Sequence, residues 1–329
     1  MAPTDGDGPA APGDFVTVGH ESAPGDFVTV GHESAPGDFV TVGEHRLHVL
    51  DEGSGPPLLL MAALGSNWFD LDPLVARLST SWRVIRYDRP GYGLSSPVGR
   101  QHLPTLLGEV ERMVAVLEAR GVTEPVVVVG HSLASLYVEA FARQYPGRTA
   151  GVVVLDGSYV LVPWRLVPLS FRVGNAHRLM GVARAVTSRV GIQRWPSLQV
   201  WKRVVPAPPE GRGEQQRRWG ARIFGQPPFL LAMLVENAAF GAMNKTLRGL
   251  RRTAPMPRVP VVVVVASSTL RGWRVFWEWK QRRYSDILGA DEIVVLPQAK
   301  HFLVSERPDE VAGIIDGLVG ERQPEPTRE

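Results

Sequence analysis

Six short aliphatic runs, spread over most of the chain, constrain its fold more than any other feature. PPLLLMAA begins at Pro56, WRVIRYD at Trp82, PVVVVGH at Pro125, AGVVVLD at Ala150, VPVVVVVA at Val259 and EIVVLP at Glu292. Each is strand-length and nearly free of polar alternation, as expected for strands buried on both faces of a parallel sheet. Helical apolar spacing separates them at Asp70–Leu78, Thr105–Arg120, Leu133–Gln144 and Asp309–Val319. The last opens with Pro308 and two acids, a helix-start signature. Strands alternating with helices predict a doubly wound, mostly parallel α/β sheet.

One stretch breaks the alternation. From about 158 to 257 there is no Val-rich strand, and the composition turns to Trp, Arg and Pro with helical pieces. A helical cap inserted between two strands is the expectation. Between Ser158 and Pro209 there is no Asp or Glu, while Arg165, Arg172, Arg178, Arg184, Arg189, Arg194, Lys202 and Arg203 are interleaved with Trp164, Phe171, Trp195 and Trp201. Such a segment is suited to an anionic membrane surface, to an anionic or amphiphilic substrate, or simply to a solvated cationic face.

The N-terminus carries a tandem repeat. APGDFVTVGHES occupies Ala11–Ser22 and again Ala23–Ser34, and a third copy begins at Ala35 and changes after Gly43. The array is too short for a stacked solenoid. The third DFVTV leads through Gly43-Glu44 into HRLHVLD, a two-residue hairpin pattern, so it has the shortest loop to close. The expected organisation is a disordered segment over 1–34, a folded domain over 35–320 and a disordered tail over 321–329.

The run VVVVGHSLAS carries the sharpest chemical signal. A buried strand enters a tight turn of small residues around Ser132, and Leu133, Leu136, Tyr137, Ala140 and Phe141 follow at helical spacing. Strand, turn and helix is the context a nucleophile elbow needs, and a helix start favours developing negative charge. A hydroxyl also needs a base. His301 lies just past the last aliphatic run and before the final helix, giving the order nucleophile first, base last.

With these residues in place, the chain from about Asp38 to Val319 resembles the α/β-hydrolase superfamily. DRPGYGLSS, beginning at Asp88, is similar to the turn after that family's fourth strand, and Asp88 and Arg89 are read as structural. His131 also matches a common family pattern, in support of the elbow. The resemblance implies oxyanion donors at the backbone N–H groups of Leu64 and Leu133. The family's usual His-Gly is replaced by Ala62-Ala63, and Ala63 would be restricted if its site required φ > 0. The family's frequent acid after the seventh strand is missing from VASSTL, and relatives that place it after the sixth strand point to Asp156 instead. Trp68, Phe69 and Tyr92 fall in loops near this site, either as walls of an acyl pocket or as ordinary packing.

Composition narrows the remaining classes. There is no cysteine and the formal net charge is +3, which argues against disulfides, thiol nucleophiles and a nucleic-acid partner. His45 and His48, three apart in a strand, face opposite sides and do not suggest a metal pair. No dinucleotide or phosphate-loop motif is present, so neither cofactor nor metal is expected. The N-terminus lacks a basic start followed by an apolar run, which makes cytoplasmic localisation the default. The expected function is a cofactor-independent serine esterase or lipase acting on a small apolar or amphiphilic ester. A degenerate binding protein, or the same fold performing acyl transfer or C–C cleavage, remains open.

Overall fold

A computed structural model describes residues 27–30, 33–99, 102–158, 205–224, 226–269 and 272–320, together with 169–171, 173–175 and 178. Strands β3 (Asp38–Val42), β4 (His45–Glu52), β5 (Pro57–Met61), β6 (Arg83–Tyr87), β7 (Val126–His131), β8 (Thr149–Leu155), β9 (Val261–Ala266) and β10 (Glu292–Leu296) form one sheet in the order β10-β9-β8-β7-β5-β6-β4-β3. The run from β10 to β6 is parallel, and β4 and β3 add an antiparallel edge. Register Val42↔His45 closes β3 and β4 around Gly43-Glu44, as the hairpin pattern predicts.

The aliphatic runs are continuous because both faces of the sheet are covered. Leu59, Val126, Val128, Val152, Val263 and Val265 face one core, with helices α2 (Leu106–Ala119) and α3 (Ser135–Gln144). Leu58, Leu60, Val127, Val129, Val153 and Val264 face the other, with α1 (Asp72–Leu78) and the C-terminal helix Pro308–Gly320. The alternation of odd and even residues between two apolar layers is the period-two pleat. Chain order reverses beside β5: β6 lies on one side and β7 on the other. The loops leaving β5 and β7 therefore diverge and open a crevice at their C-terminal ends.

Between β8 and β9 the inserted segment includes helices α4 (Glu214–Ile223) and α5 (Pro227–Thr253). Trp219, Ile223, Phe224, Phe229 and Ala232 from these helices pack with Leu50, Trp68, Phe69, Tyr92 and Phe302 in a third apolar cluster. The basic Trp-rich stretch falls mostly on residues 159–204. Of its basic and aromatic side chains only Phe171 and Arg178 lie among the described residues. The expected tail at 321–329 and the first repeat copy also lie outside the described residues.

The N-terminal expectation needs one correction. Strand β1 (Phe27–Val30), from the second repeat copy, pairs antiparallel with β2 (Glu33–Pro36), inside the stretch expected to lack structure. Its β-branched Val-Thr-Val has the same strand propensity as the copy that entered the main sheet. The redundant copy found a local partner. Helix α6 (Arg274–Leu288) lies between β9 and β10, and past β10 the chain continues through the one-turn helix α7 (Leu303–Glu306) and α8 (Pro308–Gly320).

Candidate active site

Ser132 sits on the turn between β7 and α3, with φ of 54°. Left-handed backbone at a non-glycine residue costs about 1–3 kcal/mol and persists only where packing enforces it. The enforcement is visible at Gly130: a Cβ there would lie 2.7 Å from Ala134 O and 2.7 Å from Val138 Cγ2. Strand and helix approach too closely for any side chain at that position. The turn therefore lifts the Ser132 side chain off the sheet.

His301 reaches this hydroxyl from the loop after β10. Its Nε2 is 2.7 Å from Ser132 Oγ, and its Nδ1 is 2.7 Å from Asp156 Oδ2. A carboxylate can only accept, so Nδ1 carries the proton and Nε2 presents its lone pair to the serine hydroxyl. Ser132 Oγ also lies 3.2 Å from Ser158 Oγ. With the Ser132 proton directed at His301, Ser158 is the donor in that contact. The three residues that sequence pattern and resemblance single out thus form one hydrogen-bonded chain, spanning 169 positions of sequence.

Asp156 follows β8 directly, fully buried and with φ of 45°. Its Oδ1 accepts from Ala266 N–H at 3.0 Å and from Trp277 Nε1–H at 2.8 Å. Its Oδ2 accepts from the Thr269 hydroxyl as well as from His301. Four donors converge on two oxygens and fix the plane of the carboxylate. Thr269 lies just past β9, in the stretch where the family's usual acid is missing. The strand lacking the carboxylate supplies donors to one from its neighbour, because β8 and β9 are adjacent and parallel.

His131 supports the base. Its Nε2 donates to the backbone carbonyl of His301 at 2.7 Å, while Nδ1 is buried with no partner among the described residues. Burial, then the neighbouring His301, pushes its pKa down to about 3. It is a neutral imidazole that pins the His301 backbone, and the supporting role inferred from sequence is located at the base loop.

The loop after β5 is held from outside. Arg89 donates from Nη1 to Ala62 O at 2.7 Å and from Nη2 to Ala63 O at 3.0 Å. The same guanidinium makes a two-point pair with Glu236 of α5, at 2.8 and 3.1 Å. Tyr92 and Tyr137 hydroxyls also donate to Glu236. Burial, with Glu236 beside them, raises both phenols well above their ordinary pKa, so they stay protonated donors. Positive φ falls at Gly65 and not at Ala63, so the Ala-for-Gly replacement carries no backbone strain. Met61 of β5 pairs in register with Gly130 of β7, which sets the Ala62–Leu64 loop beside the turn that carries Leu133.

Some expectations change. Trp68, Phe69 and Tyr92 do not wall an open acyl pocket. They are 2%, 0% and 2% exposed, packed against His48, Trp219, Phe224 and Phe229, and Tyr92 spends its hydroxyl on Glu236. Large aromatic faces in these loops are consumed by the helices laid over them. Asp88 is structural as read: it holds His48 Nδ1 at 2.9 Å and the Trp68 N–H at 3.0 Å. A Cβ on Gly93 would lie 1.8 Å from its Oδ2, so only glycine fits there. Glu236, Ser158, Thr269 and Trp277 escaped the sequence reading. Glu236 did leave a signal, as the only acid in the 27 residues of α5. A lone carboxylate on an apolar helix needs a buried partner.

A strained serine, a histidine hydrogen-bonded to it and a donor-saturated aspartate at the C-terminal edge of a mostly parallel sheet define an α/β-hydrolase site. The alpha/beta hydrolase family model matches residues 45–314, and the chain belongs to that family of enzymes. It is 27% identical over 268 residues to 2-(acetamidomethylene)succinate hydrolase of Mesorhizobium japonicum, covering 80% of this chain and 87% of that one. The crystal structure of an E-2-(acetamidomethylene)succinate hydrolase superposes with a TM-score of 0.59 at 18% identity, covering 90% of this chain and 100% of that chain. A carboxylesterase structure from the thaumarchaeon Nitrososphaera gargenis superposes with a TM-score of 0.61 at 18% identity, over 86% of this chain and 98% of that chain.

Proposed function

We propose that this chain is a cofactor-independent serine hydrolase that cleaves a carboxylic ester through an acyl-enzyme. The observation that carries the reading is the placement of His301, at 2.7 Å from both the Ser132 hydroxyl and the Asp156 carboxylate. His301 takes the hydroxyl proton as Ser132 Oγ attacks the ester carbonyl. The tetrahedral oxyanion is received by the N–H groups of Leu64 and Leu133. The alkoxide leaves with the proton held on His301, and the acyl group stays on Ser132. His301 then deprotonates a water molecule, which releases the acid and restores the hydroxyl.

Labelling with a fluorophosphonate probe tests the reading. The folded chain should take up one probe at Ser132, and Ser132→Ala should take up none. An unlabelled wild type, or equal labelling of the variant, overturns it. A p-nitrophenyl ester should give a burst of product equal to the labelled fraction.

A further inference from the structure

The rim of the sheet carries a second cluster of chemistry-bearing side chains, separate from Ser132, His301 and Asp156. Glu44 lies in the two-residue turn between β3 and β4, His45 is the first residue of β4, and His102 belongs to the loop that leads into α2. One donor atom from each of the three lies within 4.8 Å of the others. The imidazoles meet edge to face with centroids 4.9 Å apart, and His45 Nε2 is 3.5 Å from Glu44 Oε1. In sheet order β5 and β6 separate β4 from β7, which carries the nucleophile turn.

His48, the next histidine, is fully used by Asp88 and by the Pro36 carbonyl. The His45 side chain is only 9% exposed, with its Nε2 3.5 Å from Glu44 Oε1. Glu44 is 83% exposed on a turn, so its carboxylate is free to rotate toward an ion.

We propose that Glu44, His45 and His102 form a three-ligand site for a borderline divalent transition metal ion, with Zn2+ as the reference ion. Two imidazole nitrogens and one carboxylate oxygen suit Zn2+, Ni2+ or Cu2+, not Mg2+ or Ca2+, which require mostly oxygen donors. Bond lengths of about 2.0–2.2 Å bring the three donors together by small side-chain rotations. Arg112, which lines the same small pocket as His102, is paired with Glu109 at 3.0 Å, which offsets its charge toward an incoming cation. The site clips the third-repeat hairpin to the loop ahead of α2. His102 also borders a small pocket shared with Arg89, Tyr92 and Glu236, the group that holds the loop after β5.

The test uses the untagged full-length chain after chelator treatment, titrated with Zn2+ against a chromophoric competitor. One Zn2+ should bind per chain, raise Tm by several degrees, and bind about tenfold or more weakly in His45→Gln and in His102→Gln. Glu44→Gln, in an exposed turn, should fold normally and still lose affinity. The double variant H20Q/H32Q removes the histidines of the first two repeat copies and should bind as wild type does. Bound Co2+ should give the visible absorption of a four- or five-coordinate nitrogen-containing site, and Mg2+ should not compete. Unchanged affinity in Glu44→Gln and His102→Gln, or loss of the site in H20Q/H32Q, overturns the proposal. Fluorophosphonate labelling of Ser132 is read in parallel, so failure of the metal site and failure of the hydrolase reading are told apart.

Discussion

Arg89 and Glu236 meet in a two-point ion pair at 2.8 and 3.1 Å, both almost fully buried, and join the turn after β6 to the middle of α5. The two remaining Arg89 contacts hold the carbonyls of Ala62 and Ala63. The pair therefore couples the inserted helices to the backbone that presents Leu64.

Glu236→Gln keeps the shape and removes the charge that balances Arg89. An unpaired buried guanidinium costs about 3–5 kcal/mol, so urea denaturation should show a loss of that order. If Leu64 N–H serves the oxyanion, kcat on an activated ester should fall about 10- to 100-fold with a smaller change in KM. A variant with wild-type stability and turnover would remove the clamp from the argument.

Asp156→Asn replaces one acceptor oxygen with a donor. The His301 tautomer that leaves Nε2 free for Ser132 is then no longer favoured, and kcat should drop by about 10⁴. Thr269→Val and Trp277→Phe each leave the carboxylate with one donor fewer. Their expected effect is much milder, roughly tenfold in kcat. Steady-state kinetics on the same ester rank the three.

The backbone at Ser132 gives a stability test independent of turnover. Ser132→Ala and Ser132→Gly both abolish labelling, but only glycine relieves the left-handed φ of 54°. Ser132→Gly should be more stable than Ser132→Ala by about 1 kcal/mol, after the entropy cost of glycine is deducted. Matched denaturation curves decide the order.

His131 should make the fold acid-sensitive. Its folded pKa of about 3 lies below the ordinary 6.5. Between these values the unfolded chain binds a proton that the folded chain refuses, so stability rises with pH across this window. Lowering the pH from 6.5 toward 3 should cost about 1.4 kcal/mol per unit through this group alone. His131→Phe should show a correspondingly shallower slope in denaturation midpoints between pH 6.5 and 4.5.

Much of the fold was legible because its signals are local. Valine runs of strand length, a hairpin closed by Gly43-Glu44, and a serine between a buried strand and an apolar-faced helix depend on residues a few positions apart. The order of Ser132 before His301 was equally plain. Asp156 could be placed only by resemblance, since a carboxylate before glycine reads equally well as a turn residue. Glu236 was visible as a lone acid on an apolar helix, without any indication of what it paired with.

The sequence by itself determined the alternating elements, the tight turn under Ser132 and the two covered faces of the sheet, because side-chain periodicity and backbone sterics act over a few residues. Tertiary structure alone decided that Asp156 meets His301, that Arg89 finds Glu236 and that Trp68, Phe69 and Tyr92 are packed away. The two polar pairings join residues 145 and 147 positions apart, and all of these contacts follow from strand order and register, which no local pattern encodes.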